Sequence, residues 1–196
     1  MSGESCPWPS TRSGSALTPS YIQYTFRSSC GSIMCWGAIW YGGKSKLVWF
    51  DTSESTSKRK GVNAAIYRTQ VTEKELFDCW KRVKAQWRGY GLPWVVEDNA
   101  VVHTAKATRG KAEQLGMRFL PHPPCSPCLN PIENLWSNLK RRLARLNPRP
   151  TTQEALFAAA SELWDAYDQG EIDRLIMSMP NRMKATISAN GGHIKY

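Results

Sequence analysis

The stretch "VVEDNAVVHTAK", residues 95–106, decides the predicted fold, because it closes an apolar run with two acids and then places a histidine five residues after the second. Residues 92–98, "LPWVVED", have the composition of a short strand buried on both faces. Asp98 would lie at the C-terminal tip of that strand, the edge where open α/β sheets bind ligands. An aspartate there is also a common turn former, so this position alone does not define a site.

A second stretch, "PPCSPCLNPIENLWSNLKRR" at 123–142, predicts an amphipathic helix over 131–146, capped by Asn130 with Pro131 in its first turn. Glu133 lies in that first turn, where a carboxylate also serves as a plain helix-dipole partner. Thirty-four residues separate Asp98 from Glu133, enough for one helix, one strand and one loop. Such a path can return Glu133 to the edge that carries Asp98, and two carboxylates there would bind Mg²⁺ or Mn²⁺.

The remaining pattern predicts an α/β domain with a mixed sheet flanked by helices. Two apolar runs, 32–41 and 45–51, read as a hairpin joined by a glycine turn. A helix over 71–89 is expected to begin with a capping box of Thr72 and Glu75. Glu97 should point to the opposite face of its strand from Asp98. Further predicted elements are a helix at 104–116, a strand at 117–124 and two helices after Pro150.

The charge balance favours a nucleic-acid partner. The formal net charge is +10 and the pI about 9.5, with basic clusters such as "KRVKAQWR" and "LKRRLAR". Lysine and arginine replace counterions on phosphates, so Lys140, Arg141 and Arg142 could hold a DNA backbone, although a solvated helix face is the ordinary explanation. No stretch approaches the roughly 18 apolar residues of a membrane span, so no membrane partner is expected.

The cysteines leave one alternative open. Six of them are spread through an ordinary-sized domain, so a disulfide framework is not expected. Cys125 and Cys128, with His122 nearby, could instead bind zinc as three soft ligands. A second Cys-x-x-Cys pair is missing, and His103 does not open the His-x-Glu sequence that zinc deaminases need.

The blocks "VEDNAVVHTAK" and "LPHPPCSPCLNPIENLWSNLKRRL" resemble the catalytic domain of Tc/mariner superfamily transposases, the DDE superfamily endonucleases. The resemblance implies an RNase H-like fold over 31–147, preceded by a loop-rich remnant at 1–30 and followed by a helical extension at 148–196. It implies metal-dependent DNA cleavage and strand transfer at transposon ends, with three carboxylates, two divalent ions (Mg²⁺ or Mn²⁺), a nuclear location, a homodimer and no small-molecule substrate. The residues carried over are Asp98 and Glu133 as second and third catalytic, metal-binding acids, and His103 as the histidine of the Asp-Asn-Ala block. Our predicted DNA contacts are His103, Lys106, Lys140, Arg141 and Arg142.

Departures from the family pattern predict an impaired protein. The first acid should precede Met1 on a strand that is central in this fold, so that strand is expected to be missing. Val101, Cys125 and Cys128 replace the usual proline, tyrosine and aspartate. We therefore expect a truncated or decaying transposase, or a gene model that starts too late. The alternative function is a catalytically dead remnant that still binds DNA.

Overall fold

The computed structural model describes residues 24–28, 31–53, 55, 61–124, 126–192 and 194, with backbone alone for 24–28 and 31. Within them, short strands form three small sheets, and helices pack on both faces of the three-stranded one. The predicted α/β class is therefore confirmed. Residues 24–28 of the predicted loop-rich remnant at 1–30 form a strand. The rest of that remnant lies outside the described residues.

The predicted hairpin is present but interrupted. Its strands are β2 (Gly31–Trp36), β3 (Ile39–Trp40), β4 (Gly43–Lys44) and β5 (Val48–Trp49), with β1 (Tyr24–Ser28) antiparallel to β2 on the other side from β5. Between the β2–β5 pair and the β3–β4 pair, the Ala38 amide donates to Ser45 Oγ at 2.8 Å. The Ala38 carbonyl accepts from the Ser45 amide, also at 2.8 Å. Ser45 therefore satisfies the backbone where the ladder breaks.

Alternate residues of β2 enter two different cores. Ile33 and Cys35, each 1% exposed, pack with the C-terminal helices, whereas Met34 and Trp36 pack with the helices that follow the hairpin. A strand covered on both faces needs apolar side chains at every position, and this explains the continuous run "SIMCW".

The helix after the hairpin begins earlier than predicted. It runs through α1 (Ala64–Tyr67), a π-helical segment (Arg68–Glu75) and α2 (Leu76–Gln86). Asn63 is the N-cap, because its side chain accepts from the Ile66 amide at 2.9 Å. The predicted capping box is wrong: Thr72 lies inside the helix and is 1% exposed. Its i, i+3 spacing to Glu75 has the form of a cap without the position of one.

Two short parallel strands, β6 (Trp94–Val95) and β7 (Arg118–Phe119), precede and follow Asp98 in the sequence. They are joined through α3 (Val101–Thr104) and α4 (Lys106–Gln114). No strand in the described part of the chain links β6 to β2, since they belong to separate sheets. The missing central strand nevertheless stays a prediction.

The predicted amphipathic helix is α5 (Ile132–Ala144), and its buried apolar side consists of Ile132, Leu135, Trp136, Leu139 and Leu143. Asn130 does not cap it with its side chain; its main-chain carbonyl accepts from the Glu133 amide at 3.1 Å. A 3₁₀ turn (Pro127–Leu129) leads directly into the helix and determines this geometry.

Three helices follow rather than the two predicted: α6 (Gln153–Asp165), α7 (Gln169–Met177) and α8 (Met179–Ser188). Trp164 of α6 stacks on Trp136 of α5 with ring centroids 4.9 Å apart. A Cβ at Gly37 would come within 3.0–3.1 Å of both rings, so this close approach needs glycine. In the described residues, no helix is both long and apolar enough to span a membrane.

Candidate metal and DNA-binding site

An apolar cleft of about 610 Å³ lies between the hairpin and the β6 region. Its walls include Trp36 and Trp40 from the hairpin side and Asp98 and His103 from the other. Asn130, Pro131 and Ile132, the residues directly before Glu133, line the same cleft. The chain path therefore returns the residues that lead into α5 to the cleft that holds Asp98.

The Asp98 carboxylate is paired with the imidazole of His103. Nδ1 of His103 lies 2.6 Å from Oδ1 of Asp98, and the same oxygen accepts the Ala100 amide at 3.1 Å. The first contact is an ion-pair approach rather than a well-aligned hydrogen bond. Burial lowers the pKa of His103, but the contact with Asp98 and the charge of Glu97 outweigh it and leave that pKa raised.

His103 is only 4% exposed, and its ring lies 4.5 Å from that of Tyr67. It offers little surface to a phosphate. The predicted DNA contact at His103 therefore has no support from its position, and its neighbours place it beside Asp98 instead. Its second ring nitrogen, Nε2, is buried without a hydrogen-bond partner among the described residues.

Glu97 was predicted to face away from Asp98, yet it contacts Tyr67, whose ring lies 4.5 Å from that of His103, the partner of Asp98. Tyr67 donates its hydroxyl to Glu97 Oε1, and Arg109 Nη1 lies 3.2 Å from Glu97 Oε2. Because Tyr67 also stacks on His103, the two carboxylates lie on one connected network. The strand alternation does not apply here, since β6 ends at Val95. Adjacency to Asp98 was the only feature in the sequence that pointed to Glu97, and nothing local pointed to Tyr67.

Glu133 has a different environment. Its Oε1 is buried without a hydrogen-bond partner in the part of the chain described. Burial raises the pKa of Glu133 to about 7, and the charge of Lys140 opposes this only in part. Burial lowers the pKa of Lys140, against the opposing effect of Glu133. A carboxylate in this state gains from any cation that reaches it.

Arg182 fixes the start of α5, and the sequence did not indicate it. Its guanidinium is 1% exposed and donates to the Cys128 carbonyl and to Asn134 Oδ1, both at 2.9 Å. Its Nε donates to Ser178 Oγ at 2.7 Å. These bonds tie α8 to both sides of Glu133 and so determine where that carboxylate lies.

The predicted basic contacts differ in exposure. Lys106, Lys140 and Arg141 are exposed, as a DNA contact requires. Arg142 is half-buried, with its guanidinium 5.6 Å from the centre of the Tyr167 ring. Their contact with DNA stays a prediction.

The zinc alternative gains nothing from the structure. Cys125 lies outside the described residues, and His122 Nε2 is 3.1 Å from the Ser126 carbonyl. Among the residues that are described, no three His, Cys, Asp or Glu side chains lie close enough together to hold a metal ion. The structure therefore pairs Asp98 with His103 and leaves the meeting of Asp98 and Glu133 as a prediction.

Residues 27–156 match the family model of the DDE superfamily endonucleases, which is well over half of the chain. The chain belongs to the DDE superfamily endonucleases. It is 32% identical over 190 residues to the Tc1 transposase of Caenorhabditis elegans, covering 96% of this chain and 63% of that protein. The chain thus spans about three fifths of the length of this relative.

Solved structures give the same result. The Mos1 transposase catalytic domain with raltegravir and Mg is similar at a TM-score of 0.68 and 26% identity, covering 84% of this chain and 78% of that chain. A Mos1 mariner paired-end complex with Mn is similar at a TM-score of 0.60 and 26% identity, covering 94% and 52%. The likeness to the Mos1 catalytic domain confirms the predicted RNase H-like class for this member of the DDE superfamily endonucleases.

Proposed function

We propose that this chain is the catalytic core of a transposase that cleaves DNA at transposon ends and transfers the strands, in a form impaired on its own. The observation that carries the proposal is the cleft shared by Asp98 and the residues that lead into Glu133. In this proposal, Asp98 and Glu133 are two of the family's three carboxylates. With one ligand fewer, the isolated chain would bind metal weakly and cleave little.

Asp98 and Glu133 would hold Mg²⁺ or Mn²⁺, which prefer carboxylate oxygen. The buried, unbonded Oε1 of Glu133 fits this role, because a cation would satisfy the oxygen and favour its charged form. When bound, a pair of such ions activates the attacking oxygen and stabilises the leaving oxygen. His103 would hold the Asp98 carboxylate, while Tyr67 and Arg109 occupy Glu97 and keep it away from the ions.

DNA would reach the site along the exposed cations Lys106, Lys140 and Arg141, with Arg142 behind them. Mos1 structures solved as transposon-end complexes support DNA as the partner. A homodimer and a nuclear location are further parts of the proposal. A small-molecule substrate and a membrane partner are not part of it.

Calorimetric titration of the purified chain with MnCl₂ tests the metal site. Asp98→Ala and Glu133→Ala should each abolish binding, whereas Glu113→Ala, an exposed acid on α4, should leave it unchanged. Equal Mn²⁺ affinity in all four proteins would contradict the site. Nicking of a supercoiled plasmid by the chain alone, lost in Asp98→Ala, would show that the core is right and the impairment is not.

The second candidate is a catalytically dead protein that binds DNA. The net charge of +10 and the exposed cations favour it. Its affinity for duplex DNA should fall steeply with salt, in proportion to the phosphates contacted. DNA binding with no Mn²⁺ binding would select this candidate over the first.

A further inference from the structure

Three aromatic rings cluster where α2 ends. Tyr41 and Trp87 lie edge to face with centroids 5.9 Å apart, and Trp87 and Tyr90 likewise at 5.7 Å. Tyr90 is 84% exposed and Tyr41 43%. These exposures are high for large aromatic side chains, which a folded chain usually buries.

The loop after α2 determines where Tyr90 points. Gly89 and Gly91 flank it with φ of +96° and +87°, a region that other residues rarely adopt. A Cβ at either glycine would meet nothing within 4 Å, so the backbone conformation alone requires glycine. The Tyr90 amide donates to the Trp87 carbonyl at 3.2 Å and ties the loop to the helix. The ring is therefore held out into solvent by a defined turn.

Cations flank these rings along the chain. Residues 81–92 contain four lysines and arginines, Arg88 among them, and no acid. Arg118 lies with its guanidinium 4.5 Å from the centre of the Trp94 ring and donates to the Leu92 carbonyl at 2.7 Å. Trp94 is 55% exposed. The acid that precedes this stretch on α2, Asp78, is paired with Lys81 at 2.7 Å.

We propose that Tyr41, Trp87, Arg88, Tyr90, Trp94 and Arg118, the α2-end surface, bind single-stranded DNA. Exposed rings stack on unpaired bases, and nearby cations contact the phosphates between them. A duplex keeps its base faces buried in its own stack, so exposed rings have no such partner there. A solvated basic face would need no aromatic side chains in the open.

The α2-end surface adjoins the catalytic cleft, because Tyr41 and Trp94 also line that cleft. A DNA strand bound to the α2-end surface would pass the opening of the cleft. This surface goes beyond the proposed function, since binding a single strand needs neither metal nor cleavage.

Fluorescence anisotropy with a labelled oligothymidylate of about 20 nucleotides, longer than the roughly 4–16 nucleotides that one binding fold covers, tests the surface on the full 196-residue chain. Tyr90→Ala should weaken binding about tenfold, which is ~1.4 kcal/mol, while Tyr90→Phe keeps the ring and the affinity. Arg88→Gln should lower the slope of log affinity against log salt by about 0.7. Tyr90 is so exposed that neither of its two substitutions should affect folding.

A matched duplex provides the control. Tyr90→Ala should leave duplex affinity unchanged, whereas Lys140→Gln should lower it and leave oligothymidylate binding intact. Three results would each overturn the proposal: no binding of oligothymidylate, equal binding by wild type and Tyr90→Ala, or an equal loss in Tyr90→Phe. Mn²⁺ binding through Asp98 and Glu133 is unaffected by any of them, so the proposed function is tested separately.

Discussion

The two acids of the candidate site lie in opposite electrostatic surroundings. Asp98 has close partners in His103 and the Ala100 amide, and its neighbour Glu97 is held by Tyr67 and Arg109. Glu133 has a buried oxygen without a hydrogen-bond partner among the described residues, and a pKa raised to about 7. The Asp98 carboxylate is therefore stabilised by neighbouring groups before any ion binds, whereas the Glu133 carboxylate is not.

This difference has a consequence for metal binding. A carboxylate that already has partners contributes position, whereas a desolvated one contributes electrostatic driving force, because an arriving cation relieves its burial cost. The Asp98 end should therefore fix where an ion binds, and the Glu133 end should determine how strongly pH affects that binding.

The largest effect is expected from the residue that positions the Glu133 end. Arg182→Ala should lower the free energy of unfolding by about 4 kcal/mol. The substitution removes the hydrogen bonds that the buried guanidinium donates and leaves the Cys128 carbonyl without that donor. Urea unfolding measures it. Lys184→Ala, at an exposed position of the same helix, should stay within about 0.5 kcal/mol of wild type. Similar losses in both variants would contradict the role of Arg182.

At the Asp98 end, Tyr67→Phe should cost about 2 kcal/mol, because the Glu97 carboxylate loses a buried donor while Arg109 remains. Chemical denaturation is again the measurement. Tyr90→Phe removes the same hydroxyl from an 84% exposed ring and should cost almost nothing. If Tyr67→Phe is as stable as wild type, the network does not hold Glu97.

Glu133→Gln should reveal the pH dependence of the other end. The folded pKa of about 7 is above the ordinary 4.5, so the folded chain binds this proton more tightly than the unfolded chain. Stability should therefore fall as pH rises between those values, and glutamine removes that loss. The gain over wild type should be near zero at acid pH and roughly 1–2 kcal/mol near pH 8, less than the full shift because the group is partly exposed. Exposed Glu113→Gln should show no such trend.

The smallest effect is expected from metal. About 5 mM MnCl₂ should stabilise the chain by ~1 kcal/mol if binding is weak, which raises Tm by about 2–4 °C. Scanning calorimetry near pH 8 measures the shift. The double variant Asp98→Asn, Glu133→Gln should lose it, and an equal rise in that variant would assign the ion to another place.

Much of the fold could be predicted because it follows from local pattern. The 3.6-residue period of α5 placed five core residues, and two apolar runs around Gly42 gave the hairpin. The errors occurred where distant contacts override local pattern. Thr72 has the spacing of a cap, yet Asn63 begins the helix and the core covers Thr72. Ser178 divides the C-terminal region into one helix more than predicted.

The sequence by itself determined the family, the two carboxylates and the basic character of this protein, because these depend on residue type and on spacing along the chain. Only the tertiary structure decided that His103 is buried against Asp98 and Tyr67, and that Arg182 bonds Asn134, the residue after Glu133. Burial and partnership depend on side chains far apart in sequence, such as Cys128 and Arg182. Since they set the surroundings of each acid, the contrast between the two ends could be established only from the folded chain.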